Sequence, residues 1–226
     1  MDLLQNPEFG NKLVTLMAAF VLVLQIAMVG QRWLVMNIRL FGAQSFLLAL
    51  IAAAIAWYNH APHIYIAAGL TVAVKAVLAP ILLERLVDRI DIQHEIAPII
   101  NGPLSIVISG ALTLVAYIVG GSFYHPEAQG SGLGHNTLAV AISVFLIGFF
   151  MMLNRRKALS QVLALLTLEN GVFLAAMCLT YGMPLIVELG VFFDVLVAVM
   201  VLGILVFQIR ESFASMDVSK LRRLRG

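Results

Sequence analysis

Seven long apolar runs divide the chain, at about 12–30, 41–58, 62–83, 101–121, 136–153, 158–181 and 185–209. Most suit a helix of about 20 residues, the length that crosses a hydrocarbon core about 30 Å thick. Lipid offers no partner for a backbone N–H or C=O, so a spanning segment must satisfy its own. Helices do this within one segment, and the alternating pattern of a barrel strand is absent. The expected fold class is all-α, a polytopic transmembrane helical bundle of about seven spans. Composition agrees: 12% of residues are charged, about half the share in a soluble domain, which is about 25%.

The breaks between runs are chemically ordinary. Gly30-Gln31-Arg32 ends the first, and Tyr58-Asn59-His60-Ala61-Pro62 turns between the second and third. Gly120-Gly121 opens a polar loop that continues through Pro126 to Gly134. Asn154-Arg155-Arg156-Lys157 and Gly182-Met183-Pro184 separate the last three runs. Residues 1–11 lack the basic stretch of a signal peptide, so the first run is read as a retained span.

Basic residues predict orientation. With the N-terminus outside, the inner face receives Arg32, Arg39, Arg85, Arg89, Arg155, Arg156, Lys157, Arg210, Lys220, Arg222, Arg223 and Arg225. The outer face receives only Lys12. Such a bias follows the positive-inside rule, favours an odd number of spans and puts the C-terminus in the cytoplasm. Residues 1–135 then form a four-span region. Its inner loop, about 83–98, mixes apolar and charged positions on a helical period, as an interfacial amphipathic helix does. Residues 136–226 form a three-span region with a basic tail.

Against this background three side chains are out of place: Lys75, Glu169 and Asp194. Each lies deep within an apolar run, where a charge costs at least about 2.5–3.5 kcal/mol. Ionisable groups so placed face protein or water and often mark a proton or ion path. Pro80 lacks an N–H for the carbonyl of Ala76, which opens a polar turn beside Lys75. Glu169 lies 13 residues before Gly182, and Asp194 lies 12 after it. The tight turn at Gly182 makes their helices antiparallel neighbours, so the two carboxyls are expected at one depth. Glu188 lies nearer the outer interface, where it either extends the polar path or faces headgroups.

Other chemistry is sparse. One cysteine, Cys178, excludes a disulfide within the chain. The histidines, His60, His63, His94, His125 and His135, fall in expected loops without metal-ligand spacing. No phosphate-binding loop, dinucleotide fingerprint or nucleophile–base pair occurs. The net charge of +2 makes no case for a nucleic-acid partner.

The last third of the chain resembles the hydrogenase-4 component E family. The resemblance rests on Leu168-Glu-Asn-Gly171, on Glu188-Leu-Gly190 and on Asp194, in that order, with Lys75-Ala-Val-Leu-Ala-Pro80 in the third run. Met216-Asp-Val-Ser-Lys-Leu221 and the final Leu224-Arg-Gly226 are also similar to that family. The resemblance implies a membrane subunit of a group 4 NiFe-hydrogenase or formate hydrogenlyase-type complex in the bacterial inner membrane. It implies no cofactor in this chain; the NiFe centre and iron–sulfur clusters belong to soluble partner subunits. Antiporter-like large subunits and a quinone-site-like membrane subunit are the implied membrane partners. The C-terminal three spans are similar to the K subunit of respiratory complex I, which carries a membrane glutamate in each of two helices. Glu169 matches the first, and Asp194 matches the second with a side chain one methylene shorter. The implied role is proton translocation through Lys75, Glu169 and Asp194, extended by Glu188. Two other readings share the pattern: a subunit of an Mrp-like cation/proton antiporter, and an assembly subunit whose buried charges only lock helices together.

Overall fold

The computed structural model describes residues 7–58, 62–90, 98–123 and 135–180. The seventh apolar run, the basic tail, Glu188 and Asp194 lie outside the described residues.

Helices account for nearly everything described. They are α1 (Pro7–Gly30), α2 (Leu34–Tyr58), α3 (Pro62–Leu70), α4 (Ala79–Ile90), α5 (Gly102–Phe123), α6 (His135–Asn154) and α7 (Ala158–Thr180). A π-helical stretch, Thr71–Leu78, joins α3 to α4 without a break. Among the described residues, six segments are long and apolar enough to cross a membrane, α3, the π stretch and α4 counting as one. Pro7 and Pro62 open their helices, where a missing N–H is harmless.

α2 and the third segment run well past the ends of their apolar runs. α2 begins at Leu34 because its polar first turns have partners: Asn37 Nδ2 donates to the Gln31 carbonyl at 3.5 Å, and Arg39 Nε to Glu84 Oε1 at 3.0 Å. The third segment continues through the charged residues to Ile90. Here α4 turns Leu83, Leu86 and Val87 into the protein core and leaves Arg85 and Asp88 exposed. The amphipathic pattern is therefore a continuation of the third span as far as residue 90, with its apolar edge against protein.

The arginine-bearing junctions meet at one end of the bundle. Arg155 Nη2 donates to the carbonyls of Met28, at 3.1 Å, and Val29, at 3.5 Å, near the end of α1. These are among the carbonyls a helix terminus leaves unpaired. Asn154 Oδ1 accepts from the Ile100 N–H at 2.7 Å, and its Nδ2 donates to Ser105 Oγ at 3.1 Å. The α6–α7 turn is thereby tied to the start of α5. Burial lowers the Arg155 guanidinium to about 10, so it stays charged at neutral pH.

Glycines set the closest helix contact. A Cβ on Gly171 would stand 2.5 Å from the backbone nitrogen of Phe145, and one on Gly148 would stand 2.7 Å from Leu168 Cα. Only hydrogen fits at these positions, so α6 and α7 pack backbone to backbone, a close approach typical of membrane helices.

Two apolar clusters fill the interior. One, toward the arginine-bearing end, includes Met28, Leu34, Phe41, Leu86, Met151 and Leu163. The other, toward the opposite end, includes Val14, Ala18, Leu48, Ile55, Val144 and Leu174. Between the clusters, α1 carries buried Gln25, α2 carries Gln44 and Ser45, the third segment carries Thr71 and Lys75, and α7 carries Thr167, Glu169 and Asn170.

Candidate functional site in the membrane midplane

Between the clusters lies a polar layer. Lys75 Nζ stands 3.3 Å from Glu169 Oε1, and both side chains are less than a tenth exposed. Each is the twelfth residue of its membrane-length segment, Ile64–Asp88 for the lysine and Ala158–Leu179 for the glutamate. At about 1.5 Å per residue that is roughly 17 Å from the segment start, near the middle of a bilayer. Phe173, one turn beyond Glu169, sets its ring centroid 5.9 Å from Lys75 Nζ. The ammonium therefore meets a carboxylate and an aromatic ring from the same helix, an attractive arrangement in a desolvated setting.

The backbone around Lys75 is unusual. In the π stretch each N–H reaches one residue further back than in an α-helix, as Ala79 does to the Val74 carbonyl. The loosened region is thus wider than the single turn that Pro80 would open. Gly42 of α2 faces it: a Cβ there would lie 3.2 Å from Pro80 Cγ and 3.4 Å from the Ala76 oxygen. The missing side chain lets α2 rest against the proline turn. π-Helical insertions are rare and concentrate at functional positions.

A second polar system adjoins the pair, made of amides. Asn170 Nδ2 donates to Gln44 Oε1 and to Ser45 Oγ, both at 3.1 Å. Gln44 Nε2 donates to Gln25 Oε1 at 2.8 Å and to the Val21 carbonyl at 3.3 Å. Gln25 Nε2 donates to Met151 Sδ at 3.3 Å. Gln25, Gln44, Ser45 and Asn170 are all fully buried, and the chain laces α6, α1, α2 and α7.

Of the residues expected to form the site, Lys75 and Glu169 are brought together. The expected pairing of Glu169 with Asp194, and the place of Glu188, fall outside the described residues. Charge and hydropathy alone do not single out Gln25, Gln44, Ser45 or Phe173. A signal for three of them was present, since uncharged polar residues inside apolar runs also need partners in lipid. Among the described residues, no group of three His, Cys, Asp or Glu side chains could hold a metal ion.

Comparison with known proteins places this architecture. A Mycobacterium tuberculosis protein of uncharacterised function, Rv0085, is 40% identical over 162 residues, covering 71% of this chain and 72% of its own. Hydrogenase-4 component E of Escherichia coli K12 is 25% identical over 220 residues, covering 96% of this chain and 99% of its own. The component E of Shigella flexneri matches to the same extent. No family profile matches the chain, and no solved structure matches it. With colinearity to component E from end to end and membrane-length helices throughout the described part, the chain is a membrane protein similar over nearly its whole length to hydrogenase-4 component E.

Proposed function

We propose that this chain is an integral subunit of a hydrogenase-4-like complex in the bacterial inner membrane. In it the Lys75–Glu169 pair takes part in proton movement coupled to redox chemistry in partner subunits. The observation that carries this reading is the pair itself, a buried lysine and glutamate 3.3 Å apart at mid-span beside a π-helical backbone. Stability alone is a poor reason for such a pair. Its desolvation cost offsets much of its Coulomb gain, and apolar residues of similar volume often serve a fold equally well. A pair that must exchange or pass on charge has no apolar substitute.

Asp194 and Glu188 extend the path in this proposal. The end of the bundle carrying Arg32, Arg155, Arg156 and Lys157 faces the cytoplasm, in keeping with the positive-inside rule. The NiFe centre and iron–sulfur clusters belong to soluble partners, and antiporter-like and quinone-site-like subunits adjoin this chain in the membrane.

The test is Glu169→Gln and Lys75→Met in the assembled complex, with protons moved per turnover measured in sealed vesicles. Both variants are expected to assemble and to lose at least about half of the coupling ratio. An unchanged ratio in both variants, with assembly intact, would leave the pair as a helix lock.

A further inference from the structure

The amide chain invites a separate question, because it stands beside a charged pair yet contains no titratable group. Its direction can be derived. Met151 Sδ and the Val21 carbonyl can only accept hydrogen bonds. Gln25 must therefore turn its NH2 toward the sulfur, which leaves its Oε1 to accept. Gln44 must turn its NH2 toward Val21 and Gln25, which leaves its own Oε1 to accept from Asn170. Every donor then points away from α7, and the series closes on an atom that cannot pass a proton onward.

The location matters as much as the direction. The four helices joined by the chain surround one axis, and the amides lie across it. Asn170 directly follows Glu169 in α7, so one end of the chain is level with the ion pair. Gln25 and Met151 each lie about one turn inward from the knot that Arg155 makes with Met28 and Val29. The chain thus occupies the depth between the pair and the basic end. All three amides are fully buried.

An amide in such a series cannot relay protons as water or a carboxyl group does. To pass a proton it must first become a protonated amide or an imidic acid, both far less stable than the resonance-stabilised amide. Yet an amide satisfies buried hydrogen-bonding groups, which a hydrocarbon at the same place would leave unmet. Amides therefore meet two requirements together: they fill a polar layer, and they do not conduct.

We propose that Gln25, Gln44 and Asn170 form a proton barrier across the axis of the α1/α2/α6/α7 bundle, closing the Lys75–Glu169 pair off from the basic end of the molecule. This rests on the reading that the pair handles protons. The barrier makes the axis of this bundle a wall of the path, so that protons at the pair enter and leave by another side.

The test makes every amide of the wall titratable. Gln25→Glu, Gln44→Glu and Asn170→Asp together are nearly isosteric and can relay; Gln25→Met, Gln44→Met and Asn170→Leu together are of similar size and cannot. Each triple variant is placed in the assembled complex in sealed vesicles, and decay of an imposed pH gradient is followed with the complex idle. The carboxyl variant is expected to speed the decay several-fold over wild type, and the apolar variant to leave it near wild type. Gln25→Asp, Gln44→Asp and Asn170→Asp together make the second relay-competent variant, read in the same way if the first does not assemble. Wild-type decay in the assembled carboxyl variants would overturn the barrier, as would equal acceleration by the carboxyl and apolar variants. The idle leak is independent of protons per turnover in Glu169→Gln, so failure of the barrier and failure of the pair's proposed role are read separately.

Discussion

Glu169 and Phe173 stand one turn apart on α7 and hold Lys75 between them, the carboxylate at 3.3 Å from the ammonium and the ring centroid at 5.9 Å. The glutamate and the ring therefore share a task, and their substitutions should differ in kind. Removing one charge leaves the other buried and uncompensated, which costs about 3–5 kcal/mol. Glu169→Ala should lower the detergent-solubilised melting temperature sharply, while the double variant Lys75→Met with Glu169→Met should recover most of the loss. A double variant as unstable as the single would mean that the pair is not the main interaction of either residue.

Gly171 should tolerate no side chain. Its Cβ would meet Phe145 backbone at 2.5 Å and 2.8 Å, and backbone cannot swing aside as a side-chain tip can. Gly171→Ala is expected to reduce the yield of folded protein in size-exclusion chromatography. Gly69→Ala is the matched control, since nothing lies within 4 Å of the added carbon. It should gain about 0.5–1 kcal/mol from helix propensity.

Arg155 should behave as a structural cap. Arg155→Ala removes the donor to the Met28 and Val29 carbonyls, a loss of about 1–3 kcal/mol for buried groups left unpaired. Its pH dependence has a definite sign. The guanidinium binds its proton less tightly in the fold than in the unfolded chain, so the burial penalty holds below about pH 10 and is relieved only above it. Thermal melts of wild type and Arg155→Ala should therefore differ by a constant amount between pH 6 and pH 9. A gap that changes across that window would contradict the assignment.

Cys178 offers a reporter of folding. It is buried in α7 and is the only cysteine of the chain. A membrane-permeant maleimide should label it far more slowly in the folded protein than after denaturation, because reaction must await local opening. Equal rates would show that α7 does not pack as described.

Much of this was legible from sequence because a bilayer reduces the choices. An apolar run long enough to cross lipid must be a helix, so helix existence followed from composition and length. Lys75 and Glu169 stood out for the same reason, since a charge in hydrocarbon is too costly to be incidental. Helix ends were less legible: Arg39 and Glu84 stabilise each other's polar turns from 45 residues apart, a contact hydropathy does not contain. The partner of Lys75 was a matter for tertiary structure. Which face a residue presents depends on the rotation of its helix, and the π stretch changes that rotation locally. The amide chain was hidden by the same cause. Gln25, Gln44, Asn170 and Met151 are single polar or soft positions on four helices, and only packing around a common axis brings their hydrogen-bonding atoms within reach. Sequence thus determined the spans and the cost of their charges, and tertiary structure decided which polar groups share that cost.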